Sequence, residues 1–380
     1  RIIDVDSHLF ELENFLDLAA RSEHRDLIRP MAEQKELRVV EAAIERGREL
    51  LAKRQSDPAT MAKFEASLMD NRKSGWSRLG AFDPAERSHT LDLLGFEMQM
   101  VLPTYSFHQV AHVESDNLLE AGAYTLNKAM ADFCRKDERL KAIGYLPLSL
   151  GPERALKILE QGLLDGCFSF MIDTNEPDDN KRAFTHPDFD PIWATFSDIC
   201  RPFVVHVAVN GHYRAVPRSF TNNGKTELEL GGDAPAGELG LQNIGQSAQL
   251  FLSAMIYDGV FERHANLQSL CMEHAATWLP SWLQQMDFTA HMFKRKRKFS
   301  ELPSETAKQR IKVSPFSGEP VGWIIDNVGP EMLVFASDYP HPEGGADPIR
   351  KFEETMQNCD QKTMDAFYYG NMQSMLRLPA

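Results

Sequence analysis

Ile2-Ile3-Asp4-Val5-Asp6-Ser7-His8 opens the chain, and its reading decides the fold. The run Arg1–Val5 is short and rich in branched apolar residues, as a buried strand is. It leads into polar residues spaced two apart. On an extended chain, residues two apart point the same way, so Asp6 and His8 address one point in space. Strands that end in polar, chemically able residues are what a parallel α/β barrel presents at its mouth. Working outward, similar apolar runs recur at Met98–Pro103, Lys141–Pro147, Cys167–Ile172, Phe203–Val207, Leu267–Met272, Ile311–Ser314 and Leu333–Ala336. Helical stretches lie between or after them at Asn117–Arg135, Pro152–Leu164, Asp188–Ile199, Asn243–Tyr257 and Thr277–Lys298. The alternation predicts repeated β-α units on a parallel sheet. The expected fold is an α/β (β/α)8 TIM barrel, slightly distorted, with residues 1–380 forming one domain.

Two segments depart from the repeat. Leu12–Thr90 is rich in Glu, Ala, Arg and Leu, and reads as a helical insertion after the first strand. Within it, Ser74–Glu86 carries Gly75, Gly80 and Pro84 and reads as a loop. Asn210–Gly240 is glycine-rich and polar, and follows a strand end where barrels keep their active-site loops.

Composition excludes several classes of function. The chain has 380 residues, 43% of them hydrophobic, and a net charge of −14. Nucleic-acid binding relies on a basic footprint, which this balance lacks. The one basic run, Lys294-Arg295-Lys296-Arg297-Lys298, reads as the solvated end of a helix. Cys134, Cys167, Cys200, Cys271 and Cys359 are odd in number and scattered, which fits reduced thiols in a cytoplasmic protein better than a disulfide framework. No apolar run has the roughly 18–20 residues that span a bilayer, so no membrane partner is expected.

The ends of the runs carry the chemistry. The first offers Asp6 and His8, the fifth His206, the sixth His274, and the eighth Asp338 and His341. Asp, His, His and Asp form an oxygen–nitrogen set suited to one divalent ion, with zinc expected and manganese or iron as alternatives. Taken singly, each residue has an ordinary structural explanation, and Asp338 before Tyr339-Pro340 is a good turn former. Their recurrence at equivalent strand ends is what points to a site. His24, His89, His264 and His291 lie on or beside helices and are left out of it. A substrate pocket is expected to draw on Tyr105, His108, Asn210, Arg214, Trp278 and His341, which suits a small, partly apolar or aromatic molecule.

These motifs resemble the amidohydrolase-related branch that contains aminocarboxymuconate semialdehyde decarboxylase and the resorcylate-type decarboxylases. The resemblance rests on the opening Ile2–His8, on Phe203-Val204-Val205-His206, on Glu273-His274 followed by Leu279-Pro280, on Phe335-Ala336-Ser337-Asp338-Tyr339-Pro340-His341, and on Tyr369-Gly370-Asn371. It implies a divalent metal bound by Asp6, His8, His206 and Asp338, a proton-transfer or polarising role for His274, and a homodimer. This chain departs from the branch at Asp6, where His or Glu is usual, and at Gln285, where an arginine often faces a substrate carboxylate. Gln285 cannot neutralise a carboxylate. The expected reaction is therefore hydrolysis of an amide, ester, lactone or thioester, with Asp338 and His274 moving protons. The alternative is non-oxidative decarboxylation of an aromatic or enolic acid, with Arg214 or Arg218 supplying the missing charge. A ligand-binding barrel without catalysis is the third reading.

Overall fold

The computed structural model describes all residues except 33–39, 71–74, 173–181, 208–215, 227, 229–236, 343, 345 and 380. The chain divides into two compact units, one formed by Arg1–Phe170 with Ala336–Arg350, the other by Met171–Phe335 with Lys351–Ala380.

The first unit holds strands β1 (Ile3–Leu9), β2 (Met98–Pro103) and β3 (Leu140–Leu146), paired side by side and parallel. The chain leaves it through β4 (Ser169–Ile172). All seven residues of β1 are buried, including Asp4, Asp6, Ser7 and His8. Its register on β2 shifts between Asp4 and Ser7, an irregularity of the kind that re-aims side chains beside active sites. The expected insertion is helical: Phe15–Ala19, Arg25–Ala32, Glu41–Ser56 and Pro58–Ala66 follow β1, and Pro84–Leu94 precedes β2. Asp83 caps Pro84–Leu94 by accepting from the Ala85 and Glu86 amides, so that helix begins inside the stretch read as a loop. Gly80 in that stretch is pinned by the buried pair Arg54–Glu86, whose Glu86 Oε2 accepts from Gly80 N at 3.1 Å.

The second unit continues the pattern with the end of β4, β5 (Phe203–His206), β6 (Ser269–Met272) and β7 (Ile311–Val313), again parallel. Helices Asp190–Ile199, Gln246–Tyr257, Leu279–Phe293 and Pro303–Arg310 separate these strands. The helices Asp190–Ile199, Gln246–Tyr257 and Leu279–Phe293 each bury an apolar face, which is what holds such helices in place. Lys294–Lys298 follows the C-terminus of Leu279–Phe293 and is exposed, where positive charge complements the helix dipole.

One expected strand is corrected. Leu333–Ala336 forms no strand and keeps only an isolated bridge from Leu333 to Val313. Its successors explain why. Ser337 gives both its amide and its hydroxyl to the Asp4 carboxylate, so side-chain capture replaces the regular ladder. Pairing with β1 resumes through the Ser7–Tyr339 bridge. Among the described residues, no helix is long and apolar enough to cross a membrane, and all five cysteines are free.

Candidate active site

In the first unit the site grows from β1. Asp4, Asp6 and His8 alternate along the strand, but they do different work. Asp4 accepts from Gln99 Nε2 at 2.7 Å, Ser337 Oγ at 2.6 Å and Ser337 N at 2.8 Å. Burial still pushes its carboxyl up to about 7, because desolvation outweighs those hydrogen bonds. Asp4 is the clasp that holds Ser337 against β1. The clasp continues as Asp338 N donates to Asp6 O (2.9 Å) and His8 N donates to Tyr339 O (2.7 Å). Asp338 is held at φ +52°, a left-handed conformation unusual for a residue with a Cβ.

This clasp brings the expected ligands of the unit together. His8 Nε2 lies 3.4 Å from Asp6 Oδ1 and 3.6 Å from Asp338 Oδ1. His8, Asp338 and His341 offer ligand atoms within 4.8 Å of one another. His8 Nδ1 faces the Pro103 carbonyl at 3.3 Å, so the ring hydrogen belongs on Nδ1 and Nε2 presents a lone pair. A lone pair and two carboxylates turned towards one another repel unless a cation stands among them. Their separations also match two ligands that each sit about 2.0–2.2 Å from one ion. The residues fit a divalent cation bound without thiolate.

In the second unit, His206 ends β5. Its Nδ1 donates to the Val207 carbonyl at 2.8 Å, and its Nε2 lies 3.4 Å from Glu273 Oε2. His274 is fully buried, and its Nδ1 donates to the Ile244 carbonyl at 2.8 Å. Burial, with His206 adding to it, brings the His274 imidazole down to about 4 although the Ile244 bond opposes the shift. At neutral pH the ring is therefore uncharged and Nε2 is its acceptor. Local strain aims it: Glu273 and Ala275 stand at φ +57° and +56° on either side. The Glu319 carboxylate anchors the backbone just beyond the turn by accepting from Ala276 N (2.9 Å), Thr277 N (3.0 Å) and Phe316 N (2.7 Å).

The residues expected in a substrate pocket fare differently. Tyr105 is stacked on Trp76 at 4.9 Å and 23°, beside Phe10, whose ring meets His341 edge-on at 5.0 Å. His108 faces His112, the residue that follows the end of its helix, Nδ1 to Nε2 at 3.2 Å. The Trp278 indole N–H is spent on the carbonyls of His274 and Ala275, both at 2.9 Å. Asn210 and Arg214 lie outside the described residues. Gln285 and Arg218 are exposed. Sequence reasoning misses Asp4 and Glu273 as site residues, although each stands inside a quoted motif. Glu11 and Thr104 carry no sequence signal, because their roles come from contacts with residues about 95 positions away.

Comparison with known proteins gives this geometry its family. No curated protein matches the chain. An amidohydrolase from Mycobacterium avium subsp. paratuberculosis K-10 shares 17% identity at a TM-score of 0.71, covering 100% of this chain and 98% of its own. A 5-carboxyvanillate decarboxylase from Novosphingobium aromaticivorans DSM 12444, complexed with manganese and 4-hydroxy-3-methoxy-5-nitrobenzoic acid, shares 18% identity at a TM-score of 0.62, covering 99% and 96%. The 2,6-dihydroxybenzoate decarboxylase from Rhizobium shares 13% at 0.61, covering 99% and 98%. At these identities the likeness shows the fold, the (β/α)8 barrel expected from the sequence. The family model described as Amidohydrolase matches residues 3–378. The chain is a member of the amidohydrolase family, and an enzyme.

Proposed function

We propose that this enzyme is a metal-dependent, non-oxidative decarboxylase of a hydroxylated aromatic acid. The observation that carries the reading is the aromatic wall beside the ligand set. Phe10, Trp76 and Tyr105 form one cluster, and Phe10 packs against His341, whose ring meets that of His8 at 4.1 Å, tilted by 35°. Flat rings beside a buried carboxylate–imidazole set suit a flat substrate that carries oxygen ligands. The two decarboxylases of like fold, one of them holding manganese and a nitrobenzoic acid, support the same class. The expectation of hydrolysis rests on Gln285, but Gln285 is exposed on the helix Leu279–Phe293, so its neutrality does not report the charge of a buried site.

A divalent ion, manganese on the strength of the relatives, would supply positive charge for the substrate's oxygens. Asp6, His8 and Asp338 are its proposed ligands, with His206 as the fourth on the family resemblance. His274, uncharged and accepting at Nε2, takes the phenolic hydrogen. Asp338, after taking up a proton from solvent water, delivers it to the ring carbon that bears the carboxylate. The bond to the carboxyl carbon then breaks, its electron pair returns to the ring, and carbon dioxide leaves. His274 hands the phenolic hydrogen back to the product oxygen. Tyr105 and its neighbours hold the ring by stacking and keep water away. The homodimer and the cytoplasmic setting belong to the same reading, the first from the resemblance and the second from the free cysteines.

The test is to offer manganese-loaded and zinc-loaded protein a panel of hydroxybenzoates and a panel of esters, lactones and amides. Carbon dioxide release from a hydroxybenzoate is the expected result. Turnover of acyl substrates with no carbon dioxide from any acid would return the assignment to hydrolysis.

A further inference from the structure

Thr104 stands where three elements of the first unit meet. Its amide donates to Glu11 Oε1 at 2.8 Å, and the amides of Tyr105 and Ser106 donate to the same carboxylate at 3.0 and 3.4 Å. Glu11 thus fixes the backbone at the start of the helix Tyr105–Ala111. The Thr104 hydroxyl is then held between two imidazoles, 3.4 Å from His8 Nδ1 and 3.0 Å from His341 Nε2.

A hydroxyl has one hydrogen to give. His8 Nδ1 carries its own hydrogen, since it also faces the Pro103 carbonyl at 3.3 Å. Towards His8, Thr104 therefore accepts, and its hydrogen goes to His341 Nε2. That makes Nε2 an acceptor and places the ring hydrogen of His341 on Nδ1. The far side agrees: Nδ1 looks at Asp338 Oδ1 from 3.9 Å, where a lone pair would be repelled and an N–H is attracted. The amide of His341 donates to the Asp338 carbonyl at 2.8 Å, which fixes the backbone that carries the ring.

We infer that Thr104 is a positioning residue, whose hydroxyl sets the tautomers of His8 and His341 together, turning His8 Nε2 to the metal and a His341 N–H to Asp338. The inference rests on the metal reading of the site. One side chain would thereby orient two of the proposed ligands, Asp338 through His341 and His8 directly. Groups that orient metal ligands typically change affinity 10–100-fold when removed.

The experiment compares T104V and T104S with the wild type, loading each metal-free protein with Co2+ and recording its visible absorption and its affinity by chelator competition. Val keeps the shape of Thr, so a role in packing alone predicts no change. The expected result is about 10–100-fold weaker Co2+ binding and an altered band in T104V, with T104S close to wild type. H341Q, which removes the far end of the chain, should alter the band in the same sense. Wild-type affinity and absorption in T104V would overturn the inference alone. A wild-type protein that takes up no Co2+ would overturn the metal reading first, and this assignment with it.

Discussion

The ends of β1 and β6 solve the same problem in opposite ways. On β1, Asp6 and His8 lie within the strand, and its period of two aims them. Their neighbours supply only a clasp, Asp4 to Ser337, that brings Asp338 alongside. Beyond β6, His274 lies outside the strand, in a turn whose flanking residues Glu273 and Ala275 both hold positive φ. Its aim comes from contacts: the Ile244 carbonyl on Nδ1, the Trp278 indole on its own carbonyl, and Glu319 beneath the next amides. On β1 the strand, re-aimed where its register shifts between Asp4 and Ser7, sets the direction of the two side chains. A strained turn suits a single group held in one orientation by its surroundings.

The contrast is broken most severely at β1. Asp6→Ala should strip the ion and reduce turnover to background while the circular dichroism of the barrel persists, which metal analysis and an activity assay will check. Full metal occupancy in this mutant would show that the ligands lie elsewhere. At the β6 end, His274→Asn should keep the metal and lose about 10²–10⁴ in kcat, the usual share of a group that moves a proton. If the metal left with it, His274 would itself be a ligand.

Gly245→Ala probes whether packing aims His274. A Cβ there would stand 2.7 Å from the Trp278 ring and 2.9 Å from the His274 carbonyl oxygen. The cost should be about 1–3 kcal/mol in thermal or urea unfolding, with a fall in kcat and little change in metal content. An unchanged kcat would mean that the turn tolerates movement of His274.

The mildest test concerns the clasp side. Glu11 is buried and its carboxyl is pushed up to about 7 by desolvation, against four backbone amides that lower it, its own and those of Thr104, Tyr105 and Ser106. The fold therefore favours its protonated form. The stability this contributes is full below about 4.5, the ordinary value, and is lost as pH rises through about 7. Wild type should thus lose stability relative to Glu11→Gln between those limits. Urea midpoints of both proteins at either end will show it, and parallel curves would mean that Glu11 is ionised throughout.

Much of this was legible in the chain. The alternation of short apolar runs with longer amphipathic ones set the parallel β-α pattern, because burial on a sheet or along a helix demands those periods. Asp6 and His8 were singled out by their spacing, and His206 and Asp338 by their place at the ends of apolar runs. The loss of the eighth strand was not readable, because Ser337 prefers the Asp4 carboxylate, 333 residues distant in the chain, to a ladder. Nor were the tautomers of His8, His206 and His274, since each is decided by a backbone carbonyl that the fold places beside it: Pro103, Val207 and Ile244. The type of Gln285 suggested a neutral site, while its exposure decided its relevance. The sequence by itself determined which side chains could serve a metal and on which elements they ride. Only the tertiary structure decided which nitrogen each imidazole presents and which carboxylate is the clasp, because hydrogen bonding and desolvation act between residues that the chain order keeps far apart.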